Sequence, residues 1–489
     1  MTEPLLEREP NTRSALHCKK EICLVIISAA VGAIASLLIS NNTLNLKPVM
    51  FEKINILNDQ ISRPSVPENN IAAKEIAISY LGFNGRRTFS KFICSGDEND
   101  ISAWKDRLCV FSSICYNKIT NRFDYFRLNQ SKPKPVFYDK SNRMLFRFGV
   151  TNADIPFLTL TVGGNTPWTP FVVNESYPTE NFTRLHQLHS LTKTRFASYN
   201  IGHGLWEDLG SISYSLDRMN IIDRNLVIMH MNRMDDTSLF RMYHKYIIRA
   251  LTDHSMVQFE TYMNSFSTKY VCFDRLIVGG ELSVFPRTQV REYHGREILY
   301  YNWRSKIIQN NGFNPNFVPK KHHIIISNKT ESIYKRVGMK RHRAIANLEE
   351  VASFVQDTYP NISSEVIEWQ YISFDKQIEM LLNTTILITP GGGVSLTLPL
   401  LPHGAHAIIM DYYVTEPDHG YLYGQSGSME GAFFNHIPHV RKQYYQIYGP
   451  QEYEFDYPGA TDARETASII INTKRLRLLI DKALEEMEF

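Results

Sequence analysis

The stretch TILITPGGGVSLTLPLLPHGAHAIIMD, residues 385–411, indicates the fold class of the chain. An apolar β-type run at 386–388 stops at Pro390, and three consecutive glycines follow at 391–393. A short apolar segment, a Pro-His-Gly turn and a second apolar run at 405–410 complete the stretch. Because short apolar runs bounded by Gly and Pro are typical of buried strands, this order predicts strand, glycine loop, short helix, turn and strand.

The glycine loop has the chemistry of an anion site. Glycine has no Cβ, so a ligand can approach the backbone closely, and N–H groups at a helix start suit phosphate. The loop lacks the sixth-position glycine of a dinucleotide fingerprint and the Gly-Lys-Ser/Thr of a P-loop. Ser395 either bonds a phosphate oxygen or caps the helix, and Pro399 requires that helix to be short or to start late. The stretch predicts a nucleotide-type ligand at the carboxyl end of a parallel sheet.

Strand and helix patterns alternate through the second half of the chain. HHIIIS, EVIEW and TILIT have the apolar texture of strands, whereas NLEEVASFVQDTY and FDKQIEMLLNT have helical spacing. Such alternation predicts a parallel sheet covered on both faces. The first half contains strand-like runs such as LVIMHM and RLIVGG around a helical stretch, SYNIGHGLWEDLGSISYSLDRM. The predicted fold class is therefore α/β.

The length and composition of the chain limit the number of domains and the kinds of binding partner that we expect. The chain has 489 residues, of which 43% are hydrophobic and 21% charged, as expected for a globular protein of two or three domains. A formal net charge of +3 with basic residues spread along the chain gives no case for a nucleic-acid partner. We divide the chain into a cytosolic tail at 1–21, a transmembrane anchor at 22–40, a stem at 41–91, an N-terminal domain at 92–310, a C-terminal domain at 311–461 and a closing helix at 462–489.

Residues 22–40 carry no charge and are long enough to cross a bilayer as one helix. Lys19 and Lys20 precede the span, and only Lys47 follows it closely, so the positive-inside rule places the short N-terminus in the cytosol. This predicts a type II anchor with a lumenal remainder; a buried core helix is the alternative. The short span fits a thin membrane of the endoplasmic reticulum or Golgi apparatus.

Sequons and cysteines agree with a lumenal location. Four cysteines lie beyond the anchor, and an even number in an oxidising compartment predicts two disulfides with three possible connectivities. These are Cys94, Cys109, Cys115 and Cys272. Candidate N-glycosylation sites are Asn41, Asn129, Asn174, Asn181, Asn328, Asn361 and Asn383. No cysteine or histidine spacing indicates a zinc site, and no metal ligands are assigned.

The first constellation that could carry chemistry is YNIGHGLWED. On a helix, His203 and Glu207 are four residues apart and share a face. An imidazole beside a carboxylate, or a carboxylate itself, can remove a proton from an acceptor hydroxyl, which makes Glu207, Asp208 and His203 candidate bases. The alternative is a capped helix start, with Asn200 as N-cap and the acids complementing the dipole.

The second constellation is a basic loop between the strand IIIS and the helix that begins near Asn347. Its cations are Lys335, Arg336, Lys340, Arg341 and Arg343. Ligands of open α/β sheets bind at the carboxyl ends of strands, and the arginine fork suits a diphosphate. The alternative is an exposed basic loop.

In this order, the motifs resemble those of glycosyltransferase family 61 over roughly residues 90–415. The matching pieces are CSGDENDISAWKDRLCVFSSICYN with its Cys-x-Phe-x-x-x-Cys core, YNIGHGLWED, CFDRLIVGG, HHIIISNK through RAIANLEEV, and FDKQIEMLLNTTILITPGGGVSLTLPLLPHGA. The chain departs from the family's His-Gly-Ala-Gly loop, because Pro390 occupies the histidine position and the loop is Gly-Gly-Gly. The arginine that usually follows the Ile-Ser strand falls near Asn328 or Lys329.

The resemblance implies a lumenal glycosyltransferase of GT-B-like architecture, with two Rossmann-like domains facing a cleft. It implies an inverting transfer of a sugar of the N-acetylglucosamine or pentose class from a nucleotide-sugar, UDP-linked, to a hydroxyl of a glycan or glycoprotein. The donor would be held by Arg336, Arg341, Arg343, Gly391, Gly392, Gly393 and Ser395. No Asp-x-Asp metal-chelating motif occurs, and fixed cations can stabilise the departing diphosphate instead.

Two other functions remain open from the sequence. A serine hydrolase would need a Gly-x-Ser-x-Gly elbow, and the segments around Ser395 and Ser426 both miss the last glycine. A non-catalytic lumenal protein that keeps the fold for glycan binding or scaffolding is the other alternative, motivated by Pro390 at the position of the family's histidine.

Overall fold

The computed structural model describes only part of the chain. The described residues are 89–95, 108–127, 135–138, 144–147, 158–160, 167–193, 201–231, 245–280, 297–329, 331–334, 338–410, 431–434, 436–461 and 463–487. Among them no helix has the length and apolar character needed to cross a membrane. The predicted anchor lies outside the described residues, as do Asn41, Asn129, Asn200, Lys335 and Arg336.

A mixed sheet of nine strands forms the first half of the described chain. Its strands are β1 (Lys91–Ser95), β2 (Leu108–Ser112), β3 (Ile114–Asn117), β4 (Arg122–Phe126), β5 (Phe171–Val173), β6 (Phe182–Thr192), β7 (Val227–His230), β8 (Val257–Gln258) and β9 (Tyr270–Gly279). The order is β8-β7-β6-β9-β3-β4-β5, and β2 pairs with both β9 and β1. The strands from β8 to β9 run parallel, whereas β2 and β3 pair antiparallel with β9.

Two disulfides hold the antiparallel part of this sheet, as the cysteine count predicted. Cys94 and Cys109 lie opposite each other in β1 and β2, and Cys115 and Cys272 lie opposite each other in β3 and β9. Each bond therefore joins residues that the sheet register already makes neighbours. Of the three possible connectivities, the structure contains this one.

A second sheet of five strands is parallel throughout. Its strands are β10 (His323–Asn328), β11 (Ser363–Glu368), β12 (Ile386–Pro390), β13 (His406–Met410) and β14 (Arg441–Tyr445). The order is β11-β10-β12-β13-β14, so the chain winds outward in both directions from a switch point between β10 and β12. Ligands of doubly wound sheets bind at the carboxyl ends of the strands at this point. The strand–helix alternation and the parallel sheet predicted from the sequence are confirmed.

Short helices connect these strands. They are α1 (Leu209–Arg218) with a preceding π-helical turn (His203–Asp208), α2 (Phe259–Asn264), α3 (Glu297–Asn310), α4 (Leu348–Thr358), α5 (Phe374–Leu382), α6 (Gly431–Phe434), α7 (Ala463–Thr466) and α8 (Thr473–Glu486). The closing helix begins at Thr473, later than the predicted segment 462–489. Residues Ala467–Ile469 form a strand instead, paired with Tyr453–Phe455. The Asn472 side chain then caps α8 by accepting from the Lys474 and Arg475 N–H groups.

Residues 385–410, the described part of the opening stretch, fold as predicted, with the short helix in 3-10 form at Gly393–Leu400. This 3-10 segment lies in a hydrophobic core that both sheets share. The core extends from Leu188 and Ile277 in the first sheet to Leu387 and Ile409 in the second. The described residues, all of which lie within 77–489, accordingly form one compact unit.

Buried donors from other elements hold the backbone of the 3-10 segment. Trp206 Nε1 donates to the Leu396 carbonyl at 2.8 Å. Arg304, which is fully buried, donates through Nε to the Pro399 carbonyl at 2.8 Å and through Nη2 to the Leu401 carbonyl at 2.9 Å. Burial lowers the pKa of Arg304 to about 10, so the guanidinium remains charged at neutral pH. A cation at this end also complements the dipole of the segment.

Close approach of the first-half helix to the 3-10 segment depends on Gly202. A Cβ at this position would lie 1.8 Å from Cδ1 of Leu396, whose side chain is 2% exposed. Any side chain at residue 202 therefore requires the helix or the segment to move. This contact brings the π-helical turn directly onto the residues that follow the glycine loop.

We expect Gly202→Ala to lower the free energy of unfolding by about 1–3 kcal/mol, because overpacking of a filled core costs this much. In a Leu396→Ala background the obstructing side chain is gone, and the same change should cost little. Urea denaturation of the full chain with the wild-type sequence, the two single variants and the double variant measures the coupling. An equal cost of Gly202→Ala in both backgrounds would contradict this packing.

His439 provides a further donor to the 3-10 segment. Its Nε2 lies 2.9 Å from the Pro399 carbonyl oxygen, to which a neutral imidazole donates. Burial, followed by the charge of Arg304, lowers the pKa of His439 to about 3; His403 and Lys442 act in the same direction. In the unfolded chain His439 has its ordinary pKa of 6.5 and is protonated below that pH. In the folded chain it stays neutral until the pH approaches 3. Stability is therefore present above pH 6.5 and is lost as the pH falls from 6.5 toward 3.

We expect His439→Gln to make the free energy of unfolding less dependent on pH between pH 6.5 and 5. Over this range the neutral histidine accounts for roughly 2 kcal/mol of the loss of stability on acidification, which a glutamine cannot contribute. The measurement is urea denaturation of the full chain at a series of pH values. The matched control is His254→Gln at an exposed histidine, which should keep the wild-type slope. Equal slopes for His439→Gln and the wild type would show that His439 is not held neutral.

Candidate active site

Two cations converge on the glycine loop at the switch point of the second sheet. Lys329, the first residue after β10, donates through Nζ to the Gly391 carbonyl at 2.9 Å. Gly392 adopts φ 105° and ψ −156°, a conformation that is almost confined to glycine. A Cβ at Gly392 would lie 3.0 Å from Lys329 Nζ and 3.1 Å from Nη2 of Arg343. A lysine and an arginine therefore converge on the same face of Gly392.

Arg343 reaches the loop because its own backbone is bent and anchored. Its φ is 53°, in the left-handed region, and its backbone N–H donates to Asp456 Oδ2 at 3.1 Å. Nη1 of Arg343 lies 3.5 Å from Glu465 Oε2, the same oxygen to which Arg341 donates at 2.5 Å. One acid thus fixes both predicted donor arginines.

A cleft of about 650 Å³, within the size range of small-molecule sites, opens at the carboxyl end of β10, where it is lined by Asn328, the residue before Lys329. The start of α4 and the Tyr453–Phe455 strand contribute to its walls. Its lining includes Asn328, Arg341, His342, Asn347, Phe455 and Ser468. Of the two predicted donor arginines in the described residues, Arg341 lines the cleft and Arg343 approaches the loop.

Ser395 does not face the cleft opening. Its side chain is fully buried, and its hydroxyl donates to the Gly392 carbonyl at 2.7 Å. The helix-capping role expected for Ser395 is not present, because Gly392 is the N-cap of the 3-10 segment and no side chain caps it; the hydroxyl stabilises the loop instead. Pro390 is also buried and lies opposite Met410 in the parallel ladder.

The π-helical turn carries a histidine–carboxylate pair. His203 Nδ1 contacts Glu207 Oε2 in a short hydrogen bond, as their four-residue spacing predicted. The Glu207 side chain is 5% exposed and that of His203 is 12% exposed. His203 is thus the more accessible member, and a carboxylate that holds one ring nitrogen of an imidazole can orient the other toward a substrate.

Asp208 is enclosed by the first sheet instead. Thr192, at the end of β6, donates to Asp208 Oδ1 at 3.1 Å, and His230 Nε2, at the end of β7, lies 3.3 Å from Oδ2. The Asp208 side chain has no exposed surface. The two neighbouring acids therefore have different surroundings: Glu207 holds His203, and Asp208 ties the turn to the carboxyl ends of two parallel strands.

The two constellations meet through the 3-10 segment. Gly202 and Trp206, on either side of His203, both contact Leu396, which follows the glycine loop by three residues. The π-helical turn and the loop are therefore parts of one packed unit. A histidine–carboxylate pair can accept a proton, and cations beside a loop can stabilise a leaving phosphate, so the two parts have the chemistry that group transfer from a phosphate ester requires.

Sequence reasoning missed three residues of this arrangement. Lys329 was only noted as a position near the family's arginine, although the first residue after a predicted parallel strand is a general signal for ligand contact. Thr192 and His230 gave no local signal, because they approach Asp208 only through strand pairing. Among the described residues no group of three or more His, Cys, Asp or Glu could hold a metal ion.

The structure separates the candidate glycosylation sites into two kinds. Asn174, Asn181, Asn361 and Asn383 are exposed. Asn328 is half-buried, and its Oδ1 is inaccessible to solvent.

Comparison with known families accords with this architecture. The family described as Glycosyltransferase 61 matches residues 172–408, which extend from β5 to β13 and include the turn, Lys329, Arg343 and the glycine loop. No curated protein matches the chain. This match supports membership of the chain in glycosyltransferase family 61.

Proposed function

We propose that the chain is an inverting glycosyltransferase of the secretory pathway with a GT-B-like arrangement. Its donor would be a UDP-linked sugar of the N-acetylglucosamine or pentose class, and its acceptor a hydroxyl of a glycan or glycoprotein. Family membership and two disulfides that fit a lumenal domain support this location. The uncharged stretch 22–40 would anchor the chain in the Golgi or endoplasmic reticulum membrane as a type II protein. The observation that carries the proposal is the convergence of Lys329 and Arg343 on Gly392.

The donor diphosphate would lie between Lys329, Arg343 and the glycine loop. Negative charge builds on the diphosphate as its bond to the sugar breaks, so fixed cations beside it stabilise the transition state more than the ground state. The absence of a side chain at Gly392 lets the Lys329 ammonium and the Arg343 guanidinium approach the loop backbone closely. The Gly392 and Gly393 backbone N–H groups are the natural additional donors at the start of the 3-10 segment.

On the acceptor side, His203 would act as the base. The acceptor oxygen forms a bond to the anomeric carbon while the bond from that carbon to the diphosphate oxygen breaks. The acceptor proton passes to Nε2 of His203, and Glu207 stabilises the imidazolium through Nδ1. Attack from the side opposite the leaving group inverts the anomeric carbon. Asp208, enclosed by Thr192 and His230, would position the turn rather than contact the acceptor.

A non-catalytic lumenal binding protein is the second candidate. The observation that favours it is Pro390, which is buried, has no polar side chain and occupies the position of the family's histidine. A hydrolase gains no support, because Ser395 is fully buried and bonded to its own loop. Ser426, the other serine considered, lies outside the described residues.

We expect Lys329→Met to weaken UDP binding roughly tenfold to hundredfold, because it removes a charge-assisted contact of about 1.5–3 kcal/mol. Isothermal calorimetry on the full chain measures the change, with Lys320→Met at an exposed lysine as the matched control. Unchanged affinity in Lys329→Met, with UDP binding intact in the wild type, would place the diphosphate elsewhere. No response of the folded wild type to UDP, GDP or their sugars would favour the binding protein.

A pair of glycine variants tests the loop independently. Gly392→Ala and Gly404→Ala both force an alanine into a positive φ, but only at Gly392 does the new Cβ meet cations; at Gly404 nothing lies within 4 Å. Both variants should lose stability, by about 1–3 kcal/mol. Only Gly392→Ala should lose UDP affinity. Equal UDP affinity in the two variants would contradict the proposed donor position.

For the base, we expect His203→Asn to reduce kcat by about 10²–10⁴, the usual contribution of general base catalysis, with little change in the KM for the donor. Glu207→Gln should give a smaller loss and a shifted pH profile, because it weakens the support of the imidazolium. UDP release from a panel of UDP-sugars with glycan acceptors gives the rates. Asp208→Asn is the comparison variant, and it should lower the free energy of unfolding rather than kcat. Full activity in His203→Asn would remove it as the base.

A further inference from the structure

Asn328 combines a modification signal with a position in the candidate donor cleft. Asn328, Lys329 and Thr330 form an N-x-Ser/Thr sequon. Asn328 is the last residue of β10 and one of the residues that line the cleft of about 650 Å³. The next residue, Lys329, reaches the glycine loop across the switch point. The sequon thus lies at the edge of the sheet where the donor is proposed to bind.

The side-chain oxygen of Asn328 has an unusual environment. Oδ1 is buried and accepts no hydrogen bond from the described residues. A buried acceptor without a donor costs about 1–3 kcal/mol, and native structures leave few such groups. This oxygen is out of reach of solvent, so a ligand in the cleft meets the rest of Asn328 instead. A nucleoside bound in the cleft would lie against this residue, next to the lysine that is proposed to face the diphosphate.

We infer that a glycan on Asn328 and the nucleotide-sugar donor exclude each other, so that glycosylation at this sequon produces an inactive form of the chain. The inference rests on the proposed function and identifies a modification that regulates the same site. An attached glycan is bulky, and its first sugar would extend from the Asn328 amide into the space that the nucleoside needs. Lys329 and the glycine loop would remain in place but would be covered.

The modification itself follows ordinary N-glycosylation chemistry. The amide nitrogen of Asn328 forms a bond to C1 of a lipid-linked oligosaccharide diphosphate. The bond from C1 to the diphosphate oxygen breaks, the lipid diphosphate leaves, and the amide proton passes to a base of the transferring enzyme. Because Asn328 pairs with Glu368 in the folded sheet and is half-buried, transfer must precede the pairing of β10 with β11. Folding and glycosylation would therefore compete during synthesis.

Asn361 provides an internal comparison. It is exposed and lies just before the amino end of β11. Because β10 and β11 are parallel, this end of β11 is at the opposite edge of the sheet from the carboxyl end of β10, where Asn328 lies. A glycan at Asn361 is therefore remote from the cleft. It should have no effect on donor binding.

The test separates chains by nucleotide binding. The full chain is produced in glycosylating cells and passed over immobilised UDP, and glycopeptides of the retained and unretained chains are mapped by mass spectrometry. We expect a glycan at Asn328 only in the unretained chains, and a glycan at Asn361 equally in both. Thr330→Ala, which abolishes the sequon but keeps the Asn328 amide, should be retained completely. Asn361→Gln chains should distribute between the retained and unretained fractions in the same proportion as wild-type chains.

The remaining outcomes would contradict either the inference or the proposed function. Retained chains that carry a glycan at Asn328, or an Asn328 without glycan in both fractions, would overturn the inference. The unretained chains should unfold cooperatively, with a Tm close to that of Thr330→Ala. Loss of cooperative unfolding would mean that the glycan prevents folding rather than covering the cleft, and this result would also overturn the inference. Failure of Thr330→Ala to bind UDP would instead overturn the proposed function.

Discussion

The buried backbone carbonyls of Gly393–Leu400 are the constraint on which the rest of the structure depends. A short 3-10 segment that contains Pro399 cannot satisfy all of its own carbonyls, and burial in the shared core removes water as a partner. Side chains from three other parts of the chain supply the donors: Trp206, Arg304 and His439. Each donor fixes its own element to the segment, so both halves of the molecule are held by one set of hydrogen bonds.

This arrangement explains why the candidate site combines residues from both halves. The π-helical turn packs on the 3-10 segment because Gly202 has no side chain, which brings the His203–Glu207 pair to the glycine loop. On the other side of the loop, the switch point between β10 and β12 places Lys329 and Arg343. A single buried segment thus relates the proposed base to the proposed cation site.

The sequence predicted what depends on local pattern. The order of elements in 385–411, the shared face of His203 and Glu207, the number of disulfides and the parallel second sheet all follow from short-range spacing, and all are confirmed. What depends on distant pairing was not predictable: the enclosure of Asp208 by Thr192 and His230, and the anchoring of Arg343 by Asp456 and Glu465. The closing helix began later than predicted because residues Ala467–Ile469 found a strand partner, which propensity within one segment cannot reveal.

The central claim is that the donor diphosphate binds where Lys329 and Arg343 meet the glycine loop. A crystal structure of the chain with bound UDP tests it most directly. The account predicts diphosphate oxygens within hydrogen-bond distance of Lys329 Nζ and the Arg343 guanidinium, with the nucleoside in the cleft beside Asn328. A nucleotide bound elsewhere, with Lys329 still bonded to the Gly391 carbonyl and the cleft empty, would contradict it.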